Sequence, residues 1–261
     1  MLKLIDMRLI LSAFTFYFSL FCVGQKQSEE YLKSYDIHLE KIAINIFGGV
    51  KIKEILIKDH HQDTLIAVGQ LKTNLLDLKR WMDGKMIFGS IEANRLFLNI
   101  IQYPNEKDSS LDQFVAVFDD GKPGSGKFLL TSDQLKIVDS RFAMTDLNAE
   151  NPKDVDFSNI SAKLKDFKIY GPDVTTEIEK MSFLDYRGLF VKNISSQFTY
   201  TKKKILLEKL DLETDHSNLK ADVLLSYKRE DFVEFNDKVL FDINVKQASV
   251  STNDIYFFYK E

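Results

Sequence analysis

Between residues 189 and 227 the chain returns again and again to one beat, apolar side chains two positions apart. Its last eleven residues are Ser217-Asn218-Leu219-Lys220-Ala221-Asp222-Val223-Leu224-Leu225-Ser226-Tyr227. Successive side chains of a strand point to opposite faces, so Leu219, Ala221, Val223, Leu225 and Tyr227 all fall on one side of a sheet. Lys220, Asp222 and Ser226 fall on the other side, with Leu224 the one exception. The same beat runs through Phe198 and Tyr200, Ile205 and Leu207, and Leu210 and Leu212, with polar interruptions at 201–204 and 214–218. One apolar and one wet face is the signature of an antiparallel sheet with a single buried side.

The rest of the chain fits that pattern. Phe (21) and Tyr (10) are abundant and Pro (4) is rare, which favours long sheet ladders over helices. The net charge of −4 leaves no basic footprint for nucleic acid. Cys22 is the only cysteine, so no disulfide forms within the chain. Val239, Phe241, Ile243 and Val245 mark another clean strand over residues 238–246. Leu111, Phe114, Val115 and Phe118, spaced three or four apart, predict a short amphipathic helix. Strands are expected at 65–76, 85–88, 90–103, 128–131, 134–139 and 141–145. Further strand runs are expected between 155 and 170 and at 174–183. Around Phe47-Gly48-Gly49, a three-residue turn would pair Ile46 with Val50 and Ile44 with Ile52. A bulge near Lys53-Glu54 would then bring Ile55 opposite Ile42.

Lys3 and Arg8 precede an uncharged apolar run over residues 9–23, and Cys22-Val23-Gly24 follows as a possible cleavage context. This is the layout of a secretory signal peptide over residues 1–25. As a helix the run reaches ~23 Å, short of the ~30 Å hydrocarbon core. An uncleaved signal anchor is the second option and a lipid-modified Cys22 the third. Residues 26–261 form one β domain with no visible boundary. The aromatic end, Ile255 to Tyr259, brings no closing pattern, and the chain reads as the front end of a longer protein.

Three kinds of look-alike imitate active sites. Gly121-Lys122-Pro123-Gly124-Ser125-Gly126-Lys127 has the spacing of a phosphate-binding loop, but Phe128 stands where a hydroxyl is needed and a strand follows in place of a helix. Asp59-His60-His61-Gln62-Asp63 offers metal-ligand types. Adjacent histidines diverge on a strand or a helix, and no other Cys or His cluster completes a set. A polar hairpin turn, with Asp59 and Asp63 bonding the local backbone, is the expectation there. The acidic pairs Asp119-Asp120 and Glu230-Asp231 have no convergent partner. No catalytic residue, metal ligand or cofactor is assigned, and the chain is read as non-enzymatic.

Phe47-Gly48-Gly49-Val50-Lys51-Ile52-Lys53 and the string Asp59-His60-His61-Gln62-Asp63-Thr64-Leu65-Ile66 resemble the N-terminal part of the TamB translocation and assembly module proteins of the Bacteroidetes type, within the AsmA-like group. Similar stretches lie at 118–123, 126–132, 166–172, 198–201 and 226–232, so the likeness spans roughly residues 37–259. The resemblance implies an elongated, curled antiparallel sheet with an apolar floor, short helices and an N-terminal apolar helix. It implies a place in the periplasm, anchored in the inner membrane or released by a signal peptide. The implied roles are phospholipid transport to the outer membrane and outer-membrane protein assembly with a BamA- or TamA-like partner, although the family's C-terminal region is outside this chain. Candidate lining positions for acyl chains are Ile205, Leu207, Leu210, Leu212, Leu219, Ala221, Val223, Leu225, Val239, Phe241, Ile243 and Val245. The alternatives are a closed β-sandwich core, or a scaffold whose sheet edge adds a strand to a client protein.

Overall fold

The computed structural model describes residues 36–44, 49–75, 85–116, 129–149, 153–171, 173–201, 203–227 and 240–259. The N-terminal apolar run, the corner at Trp81, the phosphate-loop look-alike and Val239 lie outside these residues. Eleven strands form one sheet in the order of the chain. They are β1 (Ile37–Ile44), β2 (Gly49–Lys58), β3 (Thr64–Leu75), β4 (Lys85–Gln102), β5 (Leu129–Asp146), β6 (Lys153–Tyr170), β7 (Asp173–Asp185), β8 (Phe190–Tyr200), β9 (Lys204–Thr214), β10 (Asn218–Ser226) and β11 (Leu240–Ser249). Among the described residues two short helices accompany them, α1 (Ser110–Ala116) and α2 (Thr252–Tyr259). Among the described residues the sheet does not close: β1 pairs there only with β2 and β11 only with β10. The described residues form no second sheet, so a two-sheet sandwich is not the architecture they build.

The sheet is mixed where a purely antiparallel one was expected. β4 and β5 run parallel, with Lys85 beside Leu129 and Gln102 beside Asp146. Residues 103–128, which include α1, are long enough for the crossover that a parallel pair requires. Alternation on one face looks the same in both arrangements, so periodicity could not tell them apart.

The β1–β2 register also differs from expectation. Ile44 pairs with Val50, Ile42 with Ile52 and Leu39 with Ile55. At Val50 and Ile52 the slip is two residues, and an even slip keeps side chains on their own face; at Ile55 it is three, because the expected bulge does not shift the register. Glu54 does adopt a left-handed backbone with φ 49°, yet the register passes through it unshifted on both sides.

β4, β5 and β6 are each continuous over 18 residues, where shorter separate runs were expected. Left-handed residues inside the strands account for this. Glu54, Arg95, Asp139 and Asn159 have φ between 47° and 53°. The registers place Glu54 opposite Gly69, Gly69 opposite Arg95, Arg95 beside Asp139, and the next residue, Ser140, opposite Ile160. This transverse crease runs across β2 to β6. Across it the apolar positions step by three, from Ile52 to Ile55, Ala93 to Leu96 and Phe157 to Ile160, and remain on one face. A second set lies at Asp166 in β6 and Lys209 in β9, beside register shifts that continue through β10.

Bulged strands lose ladder hydrogen bonds, and small polar side chains replace them. The Ser140 hydroxyl donates to Val138 O (2.9 Å) and accepts from Leu96 N (3.0 Å). Thr176 donates to Lys165 O and Ser196 to Glu208 O, each at 2.8 Å. Ser140, Thr176 and Ser196 are all buried. Burying them without partners would cost about 1–3 kcal/mol each.

The aromatic end, in which the sequence shows no closing pattern, forms α2. It is tied to the β9–β10 turn by Ser251 N donating to Ser217 Oγ (2.9 Å) and by the Thr214 hydroxyl donating to the buried Asp254 carboxylate. Phe257 rests against Gly188 in the β7–β8 turn, where φ is 102° and a side chain would be strained and crowded.

Candidate functional site

The cross-strand pairs assemble the predicted lining residues into rows. Ile205, Leu225 and Phe241 are successive neighbours across β9, β10 and β11. Leu207, Val223 and Ile243 form the next row, and Leu210, Ala221 and Val245 the third. Leu212 and Leu219 pair in a fourth row that Ala248 completes. All eleven described members of the predicted set thus share one face.

Sequence reasoning missed how far that face extends. Tyr200, Phe198 and Ile194 of β8 pair with Ile205, Leu207 and Leu212. Val174 pairs with Tyr200, and Met181 with Ile194. Leu135 pairs with Leu164, and Phe142 with Phe157. Ile91 lies beside Leu135, Leu71 pairs with Ala93, and Ile52 with Leu71. A continuous apolar surface therefore reaches from β1 to β11. The three-residue apolar steps at each crease were the available signal.

Side chains on this face shield one another. Leu210, Ala221 and Val223 form a buried cluster, with Ile194, Leu207, Leu212, Leu219 and Leu225 packed against it. Phe157 and Phe183 stack with ring centroids 4.4 Å apart. The shielding fails at β11, where every residue is exposed: Phe241 at 53 %, Ile243 at 49 % and Val245 at 53 %. The predicted set thus divides into a packed part in β9–β10 and an open part in β11.

The other face carries the charges. Lys220 meets Asp211 at 3.2 Å and Lys246 meets Asp222 at 2.8 Å. Glu92 sits between Lys72 (2.9 Å) and Lys136 (3.4 Å) across β3, β4 and β5. The Lys72 hydrogen bond, then that of Asn94, and the two ammonium charges hold its pKa down at about 2. The four rows of β9–β11 on the apolar face contain no ionisable side chain.

One end of the sheet holds a polar knot. The β2–β3 turn is the expected one: Asp59 Oδ1 accepts from His61 N (2.9 Å) and Asp63 N (3.0 Å). The Tyr103 hydroxyl lies 2.8 Å from Asp59 Oδ2 and 2.7 Å from Asp63 Oδ2, sharing its proton between two carboxylates. Asp59 is fully buried. Burial, then the Asp63 and Asp59 acceptors, push the Tyr103 phenol well above its ordinary range. Contrary to the sequence reading, the adjacent histidines converge: His60 Nε2 lies 2.9 Å and His61 Nε2 2.6 Å from the two oxygens of Glu106. A tight turn, unlike a strand or helix, lets neighbouring side chains aim at one point.

No protein-family model matches the chain, and no curated protein matches it.

Proposed function

We propose that this is a non-enzymatic β-groove protein whose apolar sheet face holds the acyl chains of phospholipids. One observation carries the reading: an eleven-stranded sheet keeps an apolar face across its width, and that face is exposed to solvent along β11. Phe241, Ile243 and Val245 form an exposed apolar row of the kind that marks a binding surface in a soluble protein. The creases supply the bending that curls a long sheet into a trough. The resemblance to the TamB group supports the same reading, and with it a periplasmic place and a role in lipid supply and protein assembly at the outer membrane. The outer-membrane partner, a BamA- or TamA-like protein, rests on that resemblance alone.

The test is mass spectrometry of lipids extracted from the purified chain, and from Phe241→Asp and Ile243→Asp variants. The reading expects phospholipid on the parent chain, and folded variants with most of it lost. A folded parent chain that carries none contradicts it. No described strand pairs with the outer side of β11, which favours a second reading, in which a client protein adds a strand there. That reading expects client crosslinks along the edge, with lipid absent.

A further inference from the structure

We propose that His60, His61 and Glu106 form a binding site for a divalent transition-metal ion of the zinc class. One donor atom from each lies within 4.8 Å of the others. Two imidazole nitrogens and one carboxylate suit zinc and the late first-row dications, while magnesium and calcium want oxygen donors throughout. The donors come from two segments: the β2–β3 turn supplies the histidines and the loop between β4 and α1 supplies Glu106.

Both segments are pinned. The turn is closed by Asp59 N donating to Asp63 O (2.8 Å) and by the Asp59 side chain. The loop is held by Gln102 Nε2 donating to Glu106 O (2.6 Å). Gln113 of α1 donates to Glu106 Oε2 (2.6 Å), which orients the carboxylate from behind as second partners of metal ligands do. The Tyr103 ring lies against His61, centroids 3.9 Å apart, and fixes that imidazole. Tetrahedral zinc sets neighbouring donors roughly 3.3 Å apart, inside the 4.8 Å within which these three atoms gather. Three protein ligands leave the fourth position for water or for a group from a partner.

His60 sets the strength. Its Nδ1 is buried without a hydrogen-bond partner. Ligation through Nε2 places the proton on Nδ1, where it finds no acceptor, and this weakens the site. The ion is expected to be exchangeable, held more weakly than in a structural zinc centre.

The experiment is calorimetric titration of the untagged full chain, stripped with chelator, with Zn2+ and separately with Mg2+. One zinc per chain, no magnesium, and at least about tenfold weaker zinc binding in both His61→Gln and Glu106→Ala would support the site. His38→Gln and His216→Gln, which alter histidines elsewhere, should leave binding unchanged. Circular dichroism verifies that each variant is folded, and Co2+ absorption of the parent chain gives a second readout, an intense visible band from a four-coordinate ion. No stoichiometric zinc on the parent chain, or zinc binding that survives both ligand substitutions, overturns it.

Discussion

The backbone N–H of Lys209 donates to Oδ1 of Asp222 at 2.7 Å, across the β9–β10 pair. Lys209 is held in the left-handed region, φ 53°, while the apolar pattern steps from Leu207 to Leu210. An acidic side chain here replaces a ladder bond. A lysine with this backbone is strained and a glycine is not. Lys209→Gly is therefore expected to be neutral or to stabilise by up to about 1 kcal/mol, against the usual cost of glycine within a strand. Chemical denaturation measures it, and a loss of more than about 1 kcal/mol would contradict the account of the crease.

Gly69 and Arg95 are coupled across β3 and β4. A Cβ on residue 69 would collide with the Arg95 guanidinium, nearest at Nη2. The guanidinium is the far end of a flexible chain, so it can move. Gly69→Ala alone is expected to cost roughly 0.5–1 kcal/mol, and to become neutral or stabilising once Arg95→Ala has cleared the space. A double-mutant cycle measures the difference.

The packed and open parts of the apolar face should respond differently to polarity. Val223 is buried in the Leu210–Ala221 cluster. Val223→Thr is expected to lose about 1–3 kcal/mol of stability through a buried hydroxyl. Ile243→Thr, at a half-exposed edge position, should change stability by about 0.5 kcal/mol or less. Thermal and urea denaturation of the two variants side by side separates core from surface.

Acid should weaken the polar face at Glu92. Its folded pKa of about 2 lies below the ordinary carboxylate value of 4.5. The ionised form is favoured in the folded state, so the stabilisation is complete above about pH 4.5 and fades as pH falls toward 2. The carboxylate is partly exposed and the contribution is that of a surface network, about 1 kcal/mol or less. The melting temperature of Glu92→Gln should equal the parent's near pH 2 and fall below it at pH 6.

Tyr103 closes the knot over Asp59. Tyr103→Phe removes the proton shared by Asp59 and Asp63 and leaves a buried carboxylate short of a donor. The expected loss is roughly 2–3 kcal/mol, read by urea denaturation at neutral pH.

The rows of β9, β10 and β11 were legible because strict alternation survives there: Leu219, Ala221, Val223 and Leu225 stand two apart and pair as their spacing requires. The full length of β4, β5 and β6 was not legible. A polar residue that takes a left-handed backbone inside a strand, as Arg95 and Asp139 do, looks in sequence like the polar gap between two strands. The parallel step from β4 to β5 left no trace in periodicity. The meeting of His60 and His61 with Glu106 was beyond local spacing altogether, because Glu106 arrives from 45 and 46 residues away. The β2–β3 turn itself was readable from Asp59 and Asp63.

The central claim is that the apolar side of β11 meets acyl chains. A photoreactive benzoylphenylalanine placed at 241, 243 or 245, and at 242, 244 or 246 of the opposite face, tests it directly in the full chain purified from cells. The account predicts phospholipid adducts from 241, 243 and 245, and none above background from 242, 244 and 246. Equal labelling from both faces, or no lipid adduct from either, would contradict it.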